Sequence, residues 1–138
     1  MPFAPLILKG NLEINGTDVS AQVTSFKFTA ERATIEKPAT FGSRKSFAGG
    51  EDTYAVEIEY LQDVSADSLS MIFWTAVAAE PGTITVSGTL RDAAVSADNP
   101  TFEATALVTG SGLGGQVNEY GVDSQTFPLL DRPTQVTS

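Results

Sequence analysis

Apolar and polar residues alternate with a period of two along most of this chain, the pattern of strands with one buried face and one solvated face. Leu12 and Ile14 flank Glu13 and lead into Asn15-Gly16, a pair suited to a tight hairpin with positive φ. Val23 leads into Phe26, Phe28 and Ala30, with Lys27 and Thr29 on the other face. The clearest strand sets Tyr54, Val56, Ile58 and Tyr60 on one face and Ala55, Glu57, Glu59 and Leu61 on the opposite one. Alternation resumes at Ile84, Val86, Gly88 and Leu90, and again at Phe102, Ala104, Ala106 and Val108. A polar connection from Asp92 carries the turn residues Asp98-Asn99-Pro100. A glycine-rich turn, Gly110 to Gly115, precedes a last strand-pair region from Val117 to Leu129.

One segment follows a different period. Leu69, Ile72, Phe73, Ala76 and Val77 fall at i, i+3, i+4, i+7 and i+8, a single apolar stripe on a helix, with Trp74 towards its edge. Ser65 is a suitable N-cap, Asp67 puts an acid in the first turn, and Pro81-Gly82 stops the helix near Ala79. Strands, one helix and then more strands predict a mainly β fold. The expected architecture is a small antiparallel β sandwich or partial barrel with one flanking α-helix on its outer side. Residues 1–138 read as a single domain, with an N-terminal arm over 1–10, a long inter-strand loop over 31–52 and an extended C-terminal arm over 131–138.

The inter-strand loop has no period of its own, and a loop of that length inside a compact domain is either functional or disordered. Its charge sets it apart. The stretch Arg32 to Gly50 holds four of the eight basic residues, Arg32, Lys37, Arg44 and Lys45, and one of the seventeen acids, Glu36. It is therefore +3 within a chain of net charge −9, which leaves −12 on the rest. Four cations are a weak footprint for a nucleic acid. A basic segment on an acidic body fits docking on another copy of that body, in the head-to-tail manner that closes rings or grows filaments.

Composition narrows the chemistry. The chain has no Cys and no His, which excludes disulfides, thiolate metal sites, and Ser–His–Asp, Cys–His and zinc-deaminase catalysis. A pI near 4.2 opposes tight binding to nucleic-acid phosphates or to an anionic membrane surface. Met1 to Leu8 lacks a basic n-region and is interrupted by two prolines, so it is a poor signal peptide, and no window approaches a transmembrane span. Synthesis in a cytoplasm, without a membrane partner, is expected. No cofactor and no metal is expected.

Three motifs have plainer readings. Gly110 to Gly115 matches G-x-G-x-x-G, yet strand-like residues follow it and no helix starts there, so it reads as a hairpin turn. Glu57 and Glu59 sit two apart on one strand face, about 7 Å at the rise of a strand, a spacing an inverting glycosidase could use. A solvated strand face accounts for them more simply. Asp63, Asp67, Asp92 and Asp98 lack calcium-loop spacing and read as caps and turns, and Trp74 with Phe73 and Met71 reads as core and interface.

Several segments, taken in order, resemble one family. They are Gly10 to Ser20 with its short hairpin, Phe41-Gly42 and Phe47 to Gly50 in the long loop, and Tyr60-Leu61-Gln62-Asp63 ahead of the helix with Leu69 and Trp74. Ser96 to Phe102, the Gly-Gly turn, Ser124 to Pro128 and Pro133 complete the series. Across nearly its whole length the chain resembles the major tail, or tail tube, proteins of long-tailed non-contractile bacteriophages, without the immunoglobulin-like domain some relatives append. The resemblance implies a virion protein that assembles as six-membered rings stacked into a tube, with tape-measure and other tail proteins as further partners. DNA would pass through the lumen non-specifically during ejection. It also implies that the long loop and both terminal arms reach the neighbouring ring, making Arg32, Lys37, Phe41, Arg44, Lys45 and Phe47 inter-ring contacts. Six copies would carry −54, and acids lining the lumen would repel phosphates. Glu57 and Glu59 are the first lumen candidates, and Glu103 and Glu119 the next. No enzymatic activity follows from this reading. The alternatives are another virion ring protein (tail terminator, connector or capsid decoration) or a small β-rich carbohydrate-binding or hydrolytic module.

Overall fold

The computed structural model describes residues 10–91, 94–96 and 99–137. The N-terminal arm up to Lys9, and Asp92 and Asp98 of the polar connection, lie outside the described residues. Two antiparallel sheets face each other. The first runs in the order β2-β1-β5-β6-β8, from β1 (Asn11–Ile14), β2 (Thr17–Asp18), β5 (Thr83–Thr89), β6 (Thr101–Leu107) and β8 (Thr134–Val136). The second runs β3-β4-β7, from β3 (Val23–Lys37), β4 (Ser46–Leu61) and β7 (Val122–Pro128). The helix α1 (Leu69–Ala78) joins β4 to β5.

The alternating positions account for the core. Leu12, Ile14, Ile84, Val86 and Ala106 of the first sheet meet Phe26, Val56, Ile58, Tyr60 and Phe127 of the second, all of them buried. Asn15 and Gly16 take φ of 52° and 83°, so the β1–β2 connection is the two-residue turn that their side chains tolerate. Gly88 allows a close approach of the sheets. A Cβ there would sit 2.9 Å from the Phe26 ring and 3.0 Å from the Phe28 ring.

The helix differs from expectation in its start. Ser68, not Ser65, is the N-cap, and its Oγ accepts from the Met71 N–H at 3.4 Å and donates to the Asp63 carbonyl at 2.9 Å. The Leu69 N–H donates to Gln22 Oε1 at 2.7 Å, a contact from β3's leading loop that selects this serine over the other. Asp67 therefore precedes the helix, and Ser65 instead closes a turn on Asp63 Oδ1. Leu69, Phe73 and Ala76 are buried, whereas Val77 and Trp74 are half exposed, so Trp74 is not core. Phe73 meets Tyr60 and Phe127 edge to face, at centroid distances of 5.3 Å and 4.8 Å. Those two rings lie on the core face of β4 and β7. The helix thus flanks the sandwich, as expected, and is anchored to the core through Phe73.

Three other segments depart from the pattern reading. The expected loop over 31–52 is a paired hairpin, with register running from Val23↔Tyr60 to Lys37↔Ser46 and a bulge between Arg32 and Thr34. Only 38–45 connects the strands, with a local bridge between Thr40 and Ser43. Period two marks burial of one face, and beyond Ala30 neither face of this hairpin is buried, so pairing there has no sequence period. The C-terminal arm contributes β8, paired to β6 through Thr101↔Val136 and Glu103↔Thr134. In the 117–129 region only Val122–Pro128 is strand, and the preceding loop is held by side chains instead.

That loop hangs on Asp123. Its Oδ2 accepts from Tyr60 Oη at 2.9 Å, from the Gly112 N–H at 3.0 Å and from Gln125 Nε2 at 2.8 Å. Burial pushes the Asp123 carboxyl up, but the donors of Gln125, Tyr60, Gly112 and Ser124 outweigh it and hold the group below the usual carboxylate range. A depressed folded value contributes stability that is present above the ordinary value, about 3.9, and is lost as pH falls through the folded one. Urea midpoints should therefore fall on acidification below about pH 4. Asp123→Ala should cost about 1–3 kcal/mol at pH 7, because it strands the buried Tyr60 hydroxyl. It should also flatten that acid limb, and an unaltered limb would exclude Asp123 as its source.

Candidate assembly surface

The distal β3–β4 hairpin is the most exposed part of the chain. Every residue from Ala30 to Gly49 is exposed. At the rise of a strand it reaches about 25 Å beyond the sandwich. Its apolar side chains have no cover among the described residues: Phe41 is fully exposed, Phe47 65% and Ile35 60%.

The hairpin's charges divide into two sets. Arg32 Nε lies 2.8 Å from Asp52 Oδ1, and Tyr54 Oη donates to the other carboxylate oxygen at 3.3 Å. The Arg32 hydrogen bond holds the Asp52 carboxyl below its usual range and raises the guanidinium in turn. Lys45 Nζ lies 2.9 Å from Glu36 Oε1 and 5.7 Å from the centre of the Phe47 ring. Lys37 and Arg44 form no ion pair among the described residues. Glu31, Glu51 and Asp52 offset the charge at the hairpin's base, so the positive charge belongs to the tip. From Thr34 to Gly49 the residues Lys37, Arg44, Lys45 and Glu36 sum to +2. Both closed pairs are exposed, so Asp52→Ala should leave the urea midpoint nearly unchanged. A larger shift of the urea midpoint would mean the pair organises the bulge.

The second sheet has an acidic outer face. Glu57 stands between Lys27 and Thr126 across the strands, and Glu59 between Ser25 and Ser124. Both glutamates are exposed, and Thr24 Oγ1 donates to Glu59 Oε1 at 3.3 Å. Glu103 is not with them. It projects from β6, in the other sheet, on the side away from the core, while Glu119 sits in the loop before β7. Of the four acids grouped by sequence reasoning, the fold brings only Glu57 and Glu59 together.

β3 and β7 are the terminal strands of this sheet, and just past β7 the chain bonds to the other sheet, through the Ala106–Leu129 bridge and from the Leu130 N–H to the Thr105 carbonyl at 2.9 Å. An open groove of about 740 Å³ runs along β3, with Phe26, Phe28, Leu90 and Phe102 in its wall and Lys27, Glu57 and Arg132 at its rim. Glu57 lines this groove and Glu59 does not. Among the described residues, no group of three or more Asp or Glu side chains is arranged to hold a metal ion, and no helix is long and apolar enough to cross a membrane.

The far end of β4 is built differently. Gln62 links the loop after β4 to the loop before β7: its Nε2 donates to the Gly114 carbonyl at 3.0 Å and its Oε1 accepts from the Gly114 N–H at 2.8 Å. The Gln62 N–H also donates to the Gly121 carbonyl at 2.8 Å. These two loops expose Val64, Val117 and Tyr120. No periodicity in the sequence marks those residues as surface-forming.

No protein-family model matches the chain, and the search of curated proteins returned no match.

Proposed function

We propose that this protein is a structural virion subunit that polymerises as stacked rings into a phage tail tube and conducts DNA without reading its sequence. The observation that carries this reading is the three-stranded sheet β3-β4-β7, which ends in two terminal strands, carries an acidic outer face and extends at one end into an uncovered hairpin. A sheet with two edges that could take further strands can be continued by copies of itself. In a six-membered ring, β3 of one copy would follow β7 of the next, giving eighteen strands in a closed barrel. At about 4.8 Å between strands and roughly 40° of tilt, such a barrel is about 35 Å across and leaves a bore of roughly 25 Å inside its side chains. A DNA duplex fits that bore.

The core occupies one face of this sheet, so the other face would line the bore, with Glu57 and Glu59 on it. Carboxylates there repel phosphates, and Glu57 and Glu59 outnumber Lys27, which shares that face opposite Glu57, so the lining stays net acidic to a sliding polyanion. Glu103 would then lie outside the tube, serving solubility. The mechanism is geometric and electrostatic, with no covalent step.

Electron microscopy of the concentrated purified protein tests the reading. Long uniform tubes are the expected result. Single rings would indicate a terminator or connector, and protein that stays monomeric at millimolar concentration would end the tube proposal.

A further inference from the structure

The hairpin and its partner surface can be matched within one molecule. The hairpin leaves β4 at its first residue, Ser46, and the loops pinned by Gln62 follow its last, Leu61. Sixteen residues of strand separate the two ends, about 50 Å at the rise of a strand. A hairpin therefore cannot reach the far end of its own molecule, but it can reach that of a copy stacked in line.

The two ends are opposite in charge and alike in apolar exposure. Residues 62–68 and 110–121 contain Asp63, Asp67 and Glu119 and no Lys or Arg, a net −3 against the +2 of the hairpin tip. Val64, Val117 and Tyr120 are exposed there at 77%, 87% and 90%, opposite Ile35, Phe41 and Phe47 on the tip. The groove along β3 is the competing acceptor, and its aromatic wall would suit a phenyl ring. Its rim, however, carries Lys27 and Arg132 against one acid, Glu57, and would repel the tip's cations.

We propose that the basic, aromatic hairpin tip docks on the 62–68 and 110–121 loops of a second copy, with Lys37 and Arg44 facing Asp67 and Glu119. This names the acceptor within the stacked-ring reading and rests on it. The apolar side chains supply most of the attraction, because exposed ion pairs contribute little singly. The charges set the direction, since two tips or two acidic ends repel each other. The contact is heterologous: the donor and acceptor patches differ, so every added copy presents a fresh acceptor.

A charge exchange tests it, with polymer measured by sedimentation and microscopy at 0.15 M salt. Lys37→Glu with Arg44→Glu, and separately Asp67→Lys with Glu119→Lys, should each reduce polymer at least tenfold, with circular dichroism unchanged. All four substitutions together should restore polymer to within about twofold of the wild type. A photocrosslinker at Phe41, in a mixture of isotopically light and heavy chains, should join the tip to peptides from 62–68 or 110–121 of a different copy. Wild-type tubes combined with failure of the four-fold variant to recover, or with crosslinks to the β3 groove, overturn this acceptor and leave the tube reading in place. Wild-type protein that does not polymerise overturns both.

Discussion

Phe73→Ala is expected to destabilise the protein by about 3–5 kcal/mol, the range for truncating a buried phenyl ring. Phe73 is fully buried and has two aromatic neighbours, Tyr60 and Phe127, each belonging to a different strand of the second sheet. Those strands are fixed by their own ladder and cannot move in to fill the space left by the ring. Domains of this kind are stable by only about 5–15 kcal/mol, so one substitution removes a large share. In a chain of 138 residues, the melting temperature should drop on the order of 10–15 °C. Trp74→Ala is the internal control. Trp74 is the larger side chain, but it is about half exposed, and its loss should cost well under half as much in the same urea titration. Equal losses at the two positions would mean that α1 is not anchored through Phe73.

On the proposed tube reading, replacing Glu57 and Glu59 together with Lys is expected to leave fold and assembly intact while crippling DNA passage. Both side chains are exposed on the outer face of β4. Glu57 stands opposite Lys27 across the ladder, so the exchange makes one like-charge pair there, a cost of about 0.2–1 kcal/mol. Each subunit gains four units of positive charge, and in the proposed six-membered ring an acidic belt would become a basic one. Phosphates would then bind instead of being repelled. Variant tubes should co-sediment with duplex DNA where wild-type tubes do not, and the binding should weaken steeply with salt. A phage carrying the variant should lose at least tenfold in infective titre. Tubes that form normally and ignore DNA would remove these two residues from any lumen.

Much of the sandwich is legible in the chain, and particular residues show why. Where one face of a strand is buried, burial imposes the period that reading detects. Val56, Ile58 and Tyr60 are buried while Glu57 and Glu59 are exposed, as their alternation predicts. The same logic hides the hairpin. Thr34 and Ile35 pair with Gly49 and Ala48, but solvent lies on both sides and no apolar period results. The helix stripe was visible at Leu69, Phe73 and Ala76, and its cap was not. Ser65 and Ser68 are equivalent as residue types, and the choice is made by Gln22, forty-seven residues away from Leu69 in sequence.

The candidate site divides along the same line. The concentration of cations in Arg32 to Gly50 is a property of composition and needs no coordinates. Which of those cations are uncommitted is not: Arg32 is held by Asp52 and Lys45 by Glu36, leaving Lys37 and Arg44. The grouping of acids was likewise undetermined, and the pairing of β4 with β7 separated Glu57 and Glu59 from Glu103 and Glu119.

By itself the sequence determined the mainly β architecture, the helical stripe, the absence of Cys and His chemistry and the presence of one basic segment on an acidic chain. All of these depend on side-chain type or on local spacing. The tertiary structure alone decided that the basic segment is a paired hairpin, that Phe73 bridges β4 and β7, and that an acidic, apolar end lies a full strand length from the basic tip. Each of these depends on which distant segments share a ladder or a core, and that is set by long-range packing, which local periodicity does not encode.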